Sequence, residues 1–116
     1  MKRIAVDIDG VLTHNGMQSI NWYETTPNQF IEIYKRAVPN LEAIAETNRY
    51  IDEGHAVFLY TARDHCYREV TEEWLDKNGV LVPKNRVRFN KLYFDCFIDD
   101  RATNDWDELR RMVDGS

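Results

Sequence analysis

The chain has 116 residues, 43% hydrophobic and 12% aromatic, enough for one domain with a packed interior. Its formal net charge is −5, which leaves no global basic field to gather nucleic acid. No apolar run approaches the roughly 20 residues that a membrane helix needs.

Arg3 to Asp7 reads as a short buried strand, and Asp7 is followed by Ile8, Asp9 and Gly10. Residues i and i+2 of an extended chain face the same way, so Asp7 and Asp9 project together while Ile8 turns back to the core. Two such anions repel by roughly 4 kcal/mol at 4 Å and an effective dielectric of 20, and something cationic or protonated must offset that. From Leu12 to Val38 the pattern is mixed. Within it Thr26 as N-cap, Pro27 at the first helical position and Gln29 three residues on form a capping box, with Phe30, Ile33, Tyr34 and Ala37 at helical spacing. A clearer helix follows, with Leu41, Ile44, Ala45, Asn48 and Ile51 on one face and Gly54 as its stop.

Ala56 to Tyr60 is a second apolar strand. Asp64 then caps a helix carrying Tyr67, Val70, Thr71, Trp74 and Leu75 on one side and ending at Gly79. "RVRFNK" contains a weak strand and "FDCFIDD" a stronger one at Cys96 to Ile98. The tail is amphipathic through Trp106, Leu109, Met112 and Val113, with acids first and arginines later, as the helix dipole prefers. Strands alternating with helices predict an α/β protein: a three-layer α/β/α Rossmann-like domain with a parallel sheet and helices on both faces. Met1-Lys2-Arg3 leads straight into a strand without the apolar stretch of a signal peptide. Cys66 and Cys96 sit in no CxxC or Cys/His cluster, so a cytoplasmic protein with two reduced thiols is expected.

In such sheets ligands bind at the carboxyl ends of the strands. Those ends carry Asp7 and Asp9, then Thr61, Ala62 and Arg63, then Asp99 and Asp100, with Lys91 in the loop before the last pair. Grouped carboxylates suit Mg²⁺, which takes oxygen ligands and keeps positions for water or phosphate. Thr61 offers a hydrogen bond to a phosphate oxygen and Lys91 a point charge. Asp7 is placed to attack phosphorus, and Asp9 to give a proton to the leaving oxygen and later take one from water. Covalent catalysis of that kind divides one hard hydrolysis into two easier steps.

"VDIDGVL" resembles the first motif of the haloacid dehalogenase (HAD) superfamily, "LYTAR" its second, and "NKLYFDCFIDDRA" its third and fourth, in the family's order across Arg3 to Ala102. The resemblance implies Asp7 as nucleophile and Asp9 as general acid/base. It implies Asp7, the Asp9 carbonyl, Asp99 and Asp100 as Mg²⁺ ligands, Asp99 more directly than Asp100. Thr61, with Ala62 beside it, and Lys91 become the phosphate binders. An aspartate at the second acidic position resembles the phosphatase and phosphomutase branches. "YKRAVPNLEAI", "TAR" and "IDDRA" look like small bacterial capsule- or polysaccharide-associated phosphatases. One departure is the link from Phe89 to Asp95, short for a parallel crossover; Lys84 or Arg88 would stand in if Lys91 did not reach the site.

Only 26 residues separate Leu12 from Pro39, room for a flap and a short helix but not for a separate cap domain. The expectation is one domain over 1–116, with 13–38 as that insert. An open site suits a large phosphorylated partner or a cover from a second subunit in a homo-oligomer; Trp22, Tyr23, Phe30 and Tyr34 either line such a cover or pack the flap helix. Arg63 and Arg101 are read first as ion-pair partners of the acids, and Lys84, Arg86 and Arg88 as a solvated edge. The expected function is Mg²⁺-dependent hydrolysis of a phosphomonoester, whether a sugar phosphate, a nucleotide or a phosphorylated polymer. The alternative is a regulatory or scaffold protein that binds phosphate with little turnover. A receiver-type signalling domain fits less well, because there the lysine follows the last strand, whereas Lys91 precedes the terminal acidic pair.

Overall fold

Three short parallel strands carry the molecule. In the computed structural model, which describes residues 1–14 and 20–115, β1 (Arg3–Val6) pairs with β2 (Ala56–Tyr60) in the register Arg3 to Ala56 and Val6 to Leu59. Strand β2 then pairs with β3 (Val87–Arg88), Leu59 opposite Val87, giving the order β1-β2-β3. Between the strands run α1 (Pro27–Lys35), α2 (Leu41–Asp52) and α3 (Arg68–Lys77), and α4 (Trp106–Asp114) closes the described chain. This is a small parallel α/β fold compatible with a Rossmann-like layout.

Side chains alternate along a strand, and burial follows. Ile4 and Val6 of β1, Val57 and Leu59 of β2 and Val87 of β3 share one core with Ala43, Ile44 and Tyr50 of α2 and Trp74 and Leu75 of α3. The other face is not covered in the same way: Arg3, Ala5 and Tyr60 are exposed and Phe58 is half-buried. Helix α4 docks beside α2 instead, where Arg110 makes a two-pronged ion pair with Glu53 and lies over the Tyr50 ring. Among the described residues the expected helical layer on each face is thus not completed. Every fully buried strand residue points to the same side.

Local signals held the helix ends. Thr26 Oγ1 accepts from the Gln29 N–H at 3.2 Å, and Gln29 Oε1 accepts from the Thr26 N–H at 2.8 Å. Gly54 and Gly79 take φ of 89° and 72° after α2 and α3, the left-handed geometry that stops helices. The buried stripe of α2 is Ala43, Ile44, Thr47 and Tyr50; Leu41, expected inward, is exposed. Helix α1 packs through Phe30 and Tyr34 with Val70 of α3 in a second small core, so these two rings pack the helix rather than line a cover. The ends of the 13–38 insert are stitched together: the His14 N–H donates to the Val38 carbonyl at 2.9 Å and the Asn40 N–H to the Leu12 carbonyl at 2.8 Å.

The strand expected at Cys96 to Ile98 is absent. Residues 92–100 are exposed, and the cause lies just upstream. Asn90 adopts a left-handed φ of 63°, which asparagine tolerates better than most residues. Its N–H donates to the Arg63 carbonyl and its side chain accepts from the His65 N–H. That turn carries the chain across the strand ends instead of back along the sheet, and the few residues available are fewer than a parallel crossover uses.

Candidate functional site

Strand β1 ends where Asp7 caps a wide turn over Ile8–Leu12, its Oδ1 accepting from the Ile8 N–H at 2.8 Å. Gly10 sits at φ 84°, a conformation costly for a residue with a Cβ, and its N–H donates to Thr13 Oγ1 at 3.1 Å. The turn returns Ile8 and Leu12 to the core, both fully buried. Asp7 and Asp9 are left at the carboxyl edge of the sheet.

Beyond β2 the backbone ladder continues: the Thr61 N–H donates to the Arg88 carbonyl and the Lys91 N–H to the Thr61 carbonyl, each at 2.9 Å. Lys91 therefore reaches the site directly from the end of β3. Lys84 pairs with Asp76 at 2.8 Å, and Arg88 lies over Phe58; neither lines the cavity. The Thr61 side chain is wholly buried, and its Oγ1 accepts from the Arg63 N–H at 3.1 Å. The expected phosphate-binding hydroxyl thus supports the turn from beneath, while Ala62 and Arg63 face the cavity.

Arg63 supplies the cation that the acidic pair calls for. It is 2% exposed; Nε donates to Asp9 Oδ2 at 3.0 Å and Nη2 to Asp9 Oδ1 at 2.8 Å. Nη1 donates to Thr71 Oγ1 at 3.1 Å, and the guanidinium carbon lies 3.9 Å from the centre of the Tyr34 ring. Taking two charges out of water costs several kcal/mol per ion, and only such a saturated, bidentate geometry offsets it. Both Asp9 oxygens are engaged. In this arrangement neither is free to deliver a proton, a departure from the role the resemblance implies.

Asp7 differs. Oδ2 has no hydrogen-bond partner among the described residues. Burial pushes its carboxyl above the ordinary carboxylate range and Asp9 adds to the rise, while Lys91, the Ile8 N–H and Arg63 oppose it. A cavity of about 200 Å³ opens here, with Asp7, Asp9, Arg63 and Lys91 as charged groups and Trp22, Leu92, Tyr93, Phe94 and Phe97 among its apolar ones; Asp95 lines it too.

Asp99 and Asp100 are not part of it. Asp99 is exposed and Oδ1 accepts from the Arg101 N–H; the Asp100 side chain is 93% exposed, 3.6 Å from Arg101 Nε. Their displacement follows from the missing fourth strand. Among the described residues no group of three or more His, Cys, Asp or Glu side chains is placed to hold a metal. The donor set as arranged does not fit the expected Mg²⁺, since Asp7 offers one open oxygen and neither Asp99 nor Asp100 lines the cavity beside it. The aromatic wall shows in the sequence only as a density of rings in "LYFDCF" just after Lys91, of which Phe97 alone falls within the strand expected at Cys96 to Ile98.

No protein-family model matches the sequence, and no curated protein matches it. Among solved structures the chain is similar to a structural-genomics target from Vibrio cholerae, at 25% identity and a TM-score of 0.65 over 89% of this chain and 83% of that one. It is also similar to a chain of the Pnkp1/Rnl/Hen1 complex, at 19% identity and a TM-score of 0.56, covering 86% of this chain but 31% of that one. The second likeness shows the fold alone. Together they support a parallel α/β fold, and no helix among the described residues is long and apolar enough to cross a membrane.

Proposed function

We propose that the chain is a HAD-type phosphomonoester hydrolase acting through Asp7. The observation that carries this reading is a half-buried carboxylate with one oxygen fixed by the Ile8 N–H and the other open, in a cavity shared with Lys91 at the carboxyl ends of parallel strands. Lys91 holds the phosphate as a point charge. Asp7 Oδ2 attacks phosphorus; its bond to phosphorus forms as the bond to the leaving oxygen breaks. The leaving oxygen takes a proton, from water or from Asp9 once that carboxyl parts from Arg63. Water then attacks the aspartyl phosphate, releasing inorganic phosphate and restoring the Asp7 carboxylate. Mg²⁺ belongs to the resemblance, and no step above depends on it.

Release of phosphate from p-nitrophenyl phosphate, with and without Mg²⁺, tests the reading. Wild-type turnover is expected, and Asp7→Asn should lower it by at least a hundredfold while the folded state persists. Turnover undiminished in that variant, checked for deamidation, removes Asp7 from the nucleophile's role.

A second reading is favoured by the Asp9–Arg63 clamp and by the separation of Asp99 and Asp100 from the cavity. It is a regulatory or scaffold protein that binds a phosphate group and turns it over little. Phosphate binding without measurable release in any metal condition supports it over the first.

A further inference from the structure

We propose that the cavity is specific for a phosphomonoester bearing one flat aromatic or heteroaromatic ring, an inference that rests on the phosphomonoesterase reading of the same site. Two features of the cavity point to that ligand together. The charged side has one cation outside an ion pair among the described residues: Arg63 is spent on Asp9, whereas Lys91, whose charge also acts on Asp7, has no ion-pair partner within 4 Å and is held with Nζ 5.3 Å from the centres of both the Tyr60 and Phe97 rings. A single lysine suits a single phosphate. A polyphosphate or a nucleic-acid backbone needs a row of cations, and the chain carries a net −5.

The other side is built of rings. Trp22 is backed by Phe30 at 5.2 Å between centroids and 30° between planes. Phe30 is itself buried, so the indole is a supported platform, 43% exposed. Tyr93 stands 6.5 Å from it at 49°, an inclined second wall, and Phe94 and Phe97 meet edge to face. Sugar hydroxyls call for placed donors and acceptors; beside the single carboxylate of Asp95 this wall presents ring faces, which a flat ring covers. Stacking on such faces tolerates many ring types, so an aryl ester and a nucleoside monophosphate share the chemistry.

The test uses two pairs of primary-alcohol esters with matched leaving groups: benzyl against cyclohexylmethyl phosphate, and adenosine 5′-monophosphate against ribose 5-phosphate. At least one flat-ring ester should show kcat/KM about tenfold or more above its partner, the factor that 1.4 kcal/mol represents and within what one stacked base contributes. Trp22→Ala and Tyr93→Ala should bring that ratio toward one. The pair that shows the preference distinguishes an aryl from a nucleotide source. Hydrolysis of all four esters with both ratios near one overturns the proposal but leaves the hydrolase reading intact. If no ester is hydrolysed, p-nitrophenyl phosphate decides the hydrolase reading, and titration calorimetry of the same four compounds decides the ring site: tighter binding of a flat-ring ester, lost in Trp22→Ala, supports it, and equal or absent binding overturns it.

Discussion

Two segments leave neighbouring strands at the same edge of the sheet and meet opposite fates. Residues 61–71, after β2, bury Thr61, Arg63 and Thr71 almost completely. Residues 92–100, after β3, leave Leu92, Tyr93, Phe94, Phe97 and Ile98 exposed. Composition alone would order them the other way round, since a charged residue is rarely buried and an isoleucine often is. The difference is one of geometry. Arg63 is buried because Asp9, Thr71 and Tyr34 meet its guanidinium, while the turn at Asn90 takes the apolar run away from the sheet before it can pair.

The largest effect should come from opening the buried segment. Arg63→Met leaves the Asp9 carboxylate half-enclosed without its partner, and a loss of about 3–5 kcal/mol is expected from removing one member of a buried pair. Urea denaturation reads it. Adding Asp9→Asn should recover part of the loss, because the stranded charge is then gone. A loss below about 1 kcal/mol for the single variant would mean that Arg63 is solvated in solution.

Thr71→Val tests the same network at one atom. The shape is kept and the acceptor of Arg63 Nη1 is lost, so about 1–3 kcal/mol should go, the cost of one buried donor left without a partner. Asp7→Asn should act in the opposite direction. Burial raises the Asp7 pKa, so at neutral pH the fold carries an anion it disfavours relative to the unfolded chain. Below the ordinary value of 3.8 both states are protonated and the penalty vanishes. In EDTA at pH 7 the asparagine variant should therefore show a higher urea midpoint than wild type. The gain should shrink as pH falls through the raised pKa and vanish below 3.8; a lower midpoint at pH 7 would contradict the burial account.

Legibility in the sequence follows the range of the interaction. The capping box at Thr26 and Gln29 and the stops at Gly54 and Gly79 rest on contacts within a few residues, and each is found. Strands β1 and β2 were readable from their apolar runs. Charge reasoning demanded a cation near Asp7 and Asp9 and named Arg63 as an ion-pair partner; which acid it clamps depends on a contact 54 residues away in sequence. On α2 the expected stripe included Leu41, but the helix is turned so that Thr47 and Tyr50 face inward, a rotation that only the packing partner sets. The 96–98 run misled because its periodicity is indifferent to whether a partner strand lies within reach.

The smallest expected effect is the most informative about that run. Ile98→Asn should change stability by less than about 0.5 kcal/mol, as for a surface position, because the side chain is fully exposed. Cys96, also exposed, should react with a thiol reagent in the native state without a lag. If Ile98 instead lies in a buried strand, removing its side chain should cost about 2–5 kcal/mol and Cys96 should be protected. A strand there would carry Asp99 and Asp100 to the sheet edge, where carboxylates could join Asp7 around a cation. Urea titration of Ile98→Asn thus decides between a cavity walled by aromatic rings and one completed by acids.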